Sequence, residues 1–489
     1  MKLKFKLKFN QYLILITFLF FIFRVIGLGF DQTNNDSARW FIRSENFLQA
    51  LKDGNFLETY QKYHPGVTLM IVNSALRQSF YIYQYSFMDQ KIDFMSPYLF
   101  PFVNLISKMG NITVIYLILL FQVYLISKLW RKKTALLYFL FLSVEPFFIG
   151  INRWFHLTSF EVMFSFTSVL LIIYWFKTEK NRFLILSATF LGLGILTKLT
   201  SVILFPVFIY VFIKDFQKNK SLFPVIKFSA ITFITFFALF PAMWVAPVNT
   251  ISKLLDSIFH AVGDDPRRAQ LNFYVNLFYY PLILLFKLSP LLFILFNYSL
   301  QNYKKIKSFE FNVLIVTFFS YLLFLSISDQ KIDRYSLVFF PVIALVSSIF
   351  VAKLEERYIY VYASFSVLFA FFVFTFYSYQ FSAYYNPLLG GTASALKFGV
   401  YENGGSYFNE AAFYLNNQNI KDSVLVPDNY EAFSYFYFGK SLRDTSSKYD
   451  YVVTSLDIDR LDFKSYGCNN MIQSFGPIDQ KVVAIYSCK

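Results

Sequence analysis

The chain has 489 residues, of which 56% are hydrophobic and only 15% charged, with a mean hydropathy of +0.47. That much apolar surface exceeds what one water-soluble core can hide, which excludes an ordinary soluble enzyme. The formal net charge of +15 invites a nucleic-acid reading, but the basic residues sit in short connectors between apolar runs, which points to a bilayer and to no nucleic acid.

Taken in chain order, the apolar runs predict about eleven membrane-spanning helices, near residues 12–30, 112–130, 134–150, 158–176, 183–197, 200–213, 222–245, 286–300, 310–328, 335–352 and 358–378. Strand-like alternation is absent from these runs, so helices are expected rather than a barrel. The connectors MKLKFKLK, SKLWRKK, FKTEKNR, KDFQKNK, NYKKIK and KLEER alternate with others that carry acids, amides and histidines. Placing the basic set inside satisfies the positive-inside rule and makes the N-terminus cytoplasmic. No small-residue cleavage site follows the first run, where Arg24 and a polar stretch stand, so this run is expected to remain as a span. An odd number of spans then leaves the tail outside.

Two units are therefore expected: residues 1–380 as the transmembrane unit, with 31–96 its large first outer loop, and residues 381–489 as an extracytoplasmic domain. Beyond Phe381 the turn signals NPLLGG, YENGGS and VPDNY separate strand-like DSVLVP, YDYVVTSL and KVVAIYS from helix-like SYFNEAAFYLNN. Such a pattern describes a small α/β or α+β fold. Cys468 and Cys488 both fall within it, and either a disulfide or two separate thiols fits.

The outer connectors hold the residues with chemistry. FDQTNNDSARWFIRSENF and ETYQKYHPGVTLM lie in the first, NRWFHLTSFE in the second, GILTKLTS in the third, PVNTISKLLDSIFHAVGDDPRRAQLNFY in the fourth and SDQKIDRYSL in the fifth. His64, His156 and His260, all the histidines of the chain, share that face. Each element has a plain structural alternative. Asn35 or Asp36 suits the cap of an interfacial helix that turns Trp40 and Phe47 toward lipid. His64, Pro65 and Gly66 suit a turn, and Arg153, Lys198 and Arg334 at span ends suit headgroup anchors. Basic residues on the outer side nevertheless run against the positive-inside bias unless they bind something negative. A lipid phosphate is the natural partner, and a carboxylate beside it, such as Asp36, can take a proton from an acceptor hydroxyl. Together these describe sugar transfer from a lipid-linked phosphate. Asp31, one residue past the first span, is expected to matter much less.

In this order the segments NDSARWFIRSENFLQAL, TYQKYHPGVTLM, NRWFHLTSFEVMF, GILTKLTS, DQKIDRYSLVFFP and YYNPLLGG resemble the family 39-type membrane glycosyltransferases of the GT-C superfamily. The protein O-mannosyltransferases and the aminoarabinose transferases of lipid A are its better-known relatives. The resemblance implies a mainly α, polytopic GT-C-type bundle in the cell membrane and a hexosyl- or pentosyltransferase. Its donor would be a polyprenyl-phosphate-linked sugar and its acceptor a glycan, lipid or protein. Asp36, with Trp40 four positions on, matches the catalytic acidic motif of the first loop and inherits the role of base in an inverting displacement. His64 would position the acceptor or the base. Arg153, His156, Lys198, Lys331 and Arg334 would cradle the leaving phosphate, with Arg43 nearby and Tyr335 adding a hydroxyl donor. No cofactor is obligatory in this scheme; a divalent metal stays open, without a zinc-like cluster in the sequence to support it. Two positions depart from the family pattern: Ser37 and Thr158 stand where acids are usual, with Glu161 one turn further on. They leave a second reading, an inactive lipid-glycan binding or transport protein on the same scaffold. A secondary transporter fits less well, given the large first loop and tail.

Overall fold

The computed structural model describes residues 9–62, 64–87, 95–263, 273–328, 330–456, 466–468 and 470–488. Among them six helices are long and apolar enough to cross a membrane: Phe100–Leu129, Leu157–Thr178, Leu199–Asn219, Phe309–Ile327, Asp333–Val351 and Glu356–Phe376. A bent pair, Lys132–Val144 with Pro146–Asn152, makes a seventh, and four shorter apolar helices are Phe9–Val25, Asn181–Thr197, Phe223–Leu239 and Pro290–Gln301. Every run read as a span from the sequence thus contains apolar helix, with a break inside the runs near 134–150 and 286–300, in a mainly α, polytopic membrane protein. Helix Leu157–Thr178 is buried along nearly its whole length and forms the axis of the bundle.

Two helices are broken inside the bundle, and the breaks are satisfied by charge. Pro146 cannot continue the helix before it, and the chain turns by 68° there. The carbonyls so released are taken by the buried Arg24, which donates to Ser143 O at 2.9 Å and Leu142 O at 3.1 Å. Glu145, at the same break, accepts from Ser289 N and Ser289 Oγ, both at 2.7 Å, where Ser289 caps the helix beginning at Pro290. Backbone at membrane depth must find partners within the protein, and these side chains supply them.

The basic connectors meet on one face. Lys177 pairs with Glu310 at 2.6 Å, Lys218 with Glu179, and Lys133 with Glu356 at 3.8 Å, while Lys353 donates to Lys305 O. The opposite face gathers the first loop, the 153–156 connector, the start of Leu199–Asn219 and the 330–335 turn. Here the first loop is largely helical, in Asn35–Lys52 and Val67–Phe87, with residues 88–94 outside the described residues. Two expectations for it change. Asn34, not Asn35 or Asp36, caps the first of these helices, its Oδ1 accepting from Ser37 N at 2.7 Å. Trp40 and Phe47 are buried rather than turned to lipid, and the neighbouring Phe41 stacks on Phe155 at 4.3 Å.

The segment from residue 247 to 287 also differs from a simple connector, for it contains helices Pro247–Gly263 and Phe273–Lys287. Residues 264–272 and the side chain of His260 lie outside the described ones.

Beyond Phe381 the chain forms a mixed five-stranded sheet in the order β2-β1-β3-β5-β4, with β1 Val424–Leu425, β2 Ser441–Leu442, β3 Tyr451–Ser455, β4 Asn470–Phe475 and β5 Val483–Ser487. Strand β1 runs parallel to β2 and β3, whereas β5 runs antiparallel to β3 and β4. The helix Phe408–Asn417 covers one face of the sheet, and Cys468 is disulfide-bonded to Cys488. The hydrophobic core is continuous from the spans into this part. Polar stitches reinforce it: Asn409 Nδ2 donates to Phe30 O at 2.9 Å, and Gln32 Oε1 accepts from Ser382 Oγ and Ser406 Oγ.

Candidate functional site

Because Asn34 serves as the cap, Asp36 in the first turn of its helix is released for other partners. Its Oδ2 lies 2.6 Å from Arg334 Nη2 and 3.9 Å from His156 Nε2, and its Oδ1 lies 3.5 Å from Arg39. The carboxylate remains partly exposed, at 30%. Burial raises its pKa, but the guanidinium of Arg334, with Arg39 and Arg43 further off, outweighs that and holds it below the usual carboxylate value. Asp36 is therefore ionised at neutral pH.

Around this pair the spans deliver further groups. His156 caps helix Leu157–Thr178, its Nδ1 accepting from Thr158 N at 3.2 Å and lying 2.9 Å from Thr158 Oγ1. An accepting Nδ1 assigns the proton to Nε2, which faces Asp36. Burial first, then Arg334, pushes the His156 pKa well below its ordinary value. At neutral pH it is thus a neutral N–H donor, so its part in the expected phosphate cradle would be a hydrogen bond rather than a charge. Burial, then Lys198 and Arg43, lowers His64 to about 3, and its Nδ1 is buried without a partner. Arg43 lies over the Trp40 ring at 4.6 Å.

Lys198 ends helix Asn181–Thr197, almost fully buried, with Nζ 3.4 Å from Glu161 Oε2 and 3.9 Å from the centre of the Tyr335 ring. Thr200 Oγ1 also donates to Glu161. Tyr335 OH in turn donates to Gln330 Oε1 at 3.1 Å. Asp36, His64, Arg43, His156, Lys198, Arg334 and Tyr335 are thus neighbours, linked by contact or by mutual electrostatic influence.

Two candidates are placed elsewhere. Arg153 is committed to the buried Asp31, Nε to Oδ2 at 3.1 Å, and donates to Phe23 O and Ile26 O. Lys108 completes that triad at 2.9 Å. Lys331 donates to Leu325 O at 2.8 Å and Ser326 O at 2.7 Å, closing the end of helix Phe309–Ile327. A basic residue at a span end reads alike in the sequence as a phosphate ligand or as a partner of the fold, so local pattern does not separate the two roles. Asp31 likewise reads as a bystander, whereas it is the counter-charge that lets Lys108 and Arg153 be buried.

Glu402 was missed. Its Oε2 accepts from Asp333 N at 3.0 Å, beside Arg334. YENGGS was legible only as a turn, and nothing local shows that the turn reaches a loop some seventy residues earlier. Among the described residues no group of three or more His, Cys, Asp or Glu side chains is placed to hold a metal ion.

Residues 104–244 match the model of the dolichyl-phosphate-mannose-protein mannosyltransferase family, a stretch that includes His156, Glu161 and Lys198. No curated protein gives a match. Among solved structures, ArnT from Cupriavidus metallidurans in the apo state superposes with a TM-score of 0.58 at 11% identity, covering 97% of this chain and 98% of that one. The same protein bound to undecaprenyl phosphate gives 0.56 at 10% identity, with the same coverage. AglB, the archaeal oligosaccharyltransferase of Archaeoglobus fulgidus, in complex with an inhibitory peptide and a dolichol-phosphate, gives 0.45 at 10%, covering 92% and 70%. End to end, then, the chain is a polytopic membrane protein with the GT-C-type fold seen in ArnT.

Proposed function

We propose that this protein is an integral-membrane glycosyltransferase that moves a sugar from a polyprenyl-phosphate-linked donor to an acceptor hydroxyl at the outer face of the membrane. One observation carries the reading: an ionised carboxylate, Asp36, lies 2.6 Å from Arg334 with Lys198 and the His156 N–H close by. A base and an anion-binding cluster so juxtaposed suit attack by a hydroxyl on a sugar whose leaving group is a phosphate. Asp36 removes the acceptor proton, the hydroxyl oxygen bonds to the anomeric carbon with inversion, and the phosphate departs with the bonding pair toward Arg334 and Lys198. His64, with a free ring nitrogen, orients the acceptor. ArnT, which shares this fold and binds undecaprenyl phosphate, supports a polyprenyl phosphate as the lipid.

The inactive alternative rested on Ser37 and Thr158. Here the Thr158 hydroxyl lies 2.9 Å from His156 Nδ1, so that side chain has a task in the cluster that needs no acid, whereas Ser37 contributes only its backbone N–H to the Asn34 cap. In the same reading the N-terminus is cytoplasmic, residues 1–380 form the transmembrane unit in the plasma membrane, and residues 381–489 lie outside.

The decisive measurement is transfer by purified protein from polyprenyl-phosphate-linked sugars, with the acceptor taken from the cell's own surface glycans, lipids and proteins. Asp36→Asn should bind donor and stay folded while turnover falls about a hundredfold or more, as loss of a general base requires. Transfer at the wild-type rate by Asp36→Asn would remove Asp36 as the base. Unchanged surface glycans and lipid-linked sugars by mass spectrometry, in cells lacking the gene, would remove the transferase.

A further inference from the structure

Segment 401–406 is carried into the site by two glycines. A Cβ on Gly404 would lie 2.6 Å from the Trp154 ring, and Gly405 has φ +86° with Thr33 O 2.6 Å from its Cβ position. Only a residue without a side chain lets the backbone approach so closely. Gln32 Nε2 donates to Gly404 O at 3.4 Å and Gln32 Oε1 accepts from Ser406, which fixes the turn against the first loop. The result is that Glu402, some seventy residues after Asp333, has its carboxylate on the Asp333 amide at 3.0 Å. Its own amide donates to Tyr385 OH at 2.9 Å.

Among the described residues the charged groups that act on Glu402 are Asp333, Arg334 and Lys287. Asp333 is paired with the buried Lys287 at 3.0 Å, Lys287 lies 3.5 Å over the Tyr385 ring, and Arg334 is the residue next to the pinned amide. Asp36 and Glu402 both act electrostatically on Arg334, whose Nε is buried without a partner.

We propose that Glu402 is a positioning residue of the phosphate site: it holds the turn that bears Arg334, and its charge sets how strongly Arg334 attracts the donor's anionic group, whichever sugar is attached. This rests on the reading of Arg334 as a donor-phosphate ligand. Burial first, then the Asp333 carboxylate, raises Glu402 to about 7, with Arg334 opposing. A side-chain hydrogen bond with Asp333 adds to this rise, so Glu402 changes charge near neutral pH rather than in the usual carboxylate range. As pH rises through neutrality a second carboxylate neutralises Arg334, and the phosphate is held less tightly. The two described histidines of the site titrate far below neutrality and add nothing to this change.

The test measures binding of undecaprenyl methyl phosphate to full-length protein in detergent from pH 6 to 8. A phosphodiester keeps one negative charge throughout, so the ligand does not titrate. Wild-type Kd should rise about threefold or more across the range, and Glu402→Gln, isosteric and able to accept from Asp333 N, should bind with a flat profile. A flat wild-type profile, or an unchanged slope in Glu402→Gln, overturns the proposal while leaving the donor site in place. Failure of the wild type to bind the diester at any pH overturns the donor reading and this inference with it.

Discussion

Asp31 and Asp36 stand five residues apart, and their surroundings give them opposite tasks. Asp31 is buried between Lys108 and Arg153, while Asp36 meets solvent and Arg334. Asp31→Asn removes the counter-charge of two buried cations and should cost about 3–5 kcal/mol. Thermal unfolding of the detergent-solubilised variant checks this, and a melting curve like that of the wild type would contradict the triad's structural role. Arg334→Lys keeps a charge but loses the planar fork that reaches Asp36. Donor Kd should rise about tenfold, with a larger rise for Arg334→Ala; equal binding by wild type and alanine variant would take Arg334 out of the site. In the sequence, Asp36 was legible as a candidate base, but its separation from the capping role was not, since three Asx residues stand in a row at 34–36.

At the scale of elements, hydropathy located the apolar helices but not their breaks. The run near 134–150 is two helices because Pro146 follows a glutamate whose partner, Ser289, is far along the chain. Likewise Lys287 and Ser289-Pro290 interrupt the hydropathy of 273–301, so a helix preceding the break read as connector. The short half after the first break, Pro146–Asn152, packs its backbone on 381–383: a Cβ on Gly150 would lie 2.2 Å from Ser382 N and 2.5 Å from Phe381 C. Backbone atoms cannot swing aside as a side-chain tip does. Gly150→Ala should therefore destabilise the protein by about 1–3 kcal/mol, with limited proteolysis after residue 380 accelerated. Wild-type resistance to protease would show that the contact yields without strain.

For the whole molecule, the basic connectors on one face and the Asp36 cluster on the other imply an orientation. An impermeant maleimide applied to intact cells should label Ser441→Cys and spare Lys305→Cys; the reverse pattern would invert the topology. Under the proposed topology the Cys468–Cys488 bond lies on the oxidising side of the membrane. Cys468→Ser should lower the stability of the sheet by about 2–4 kcal/mol, visible as an earlier unfolding step, while unchanged unfolding would show that the bond adds nothing to the sheet.

From the sequence alone followed the membrane class, the apolar helices, the alternation of connectors, a small sheet beyond Phe381 and the candidacy of Asp36, Lys198 and Arg334. These depend on local composition and period, which each segment carries in itself. Tertiary structure decided the rest: that Arg153 pairs with Asp31 and Lys331 meets the carbonyls of a helix end, that His156 Nδ1 accepts from Thr158 N, that Cys468 meets Cys488, and that Glu402 reaches the Asp333 amide next to Arg334. A charge's task is set by which counter-charge or carbonyl lies within about 3 Å and by how much water remains, and both are properties of segments far apart in the chain.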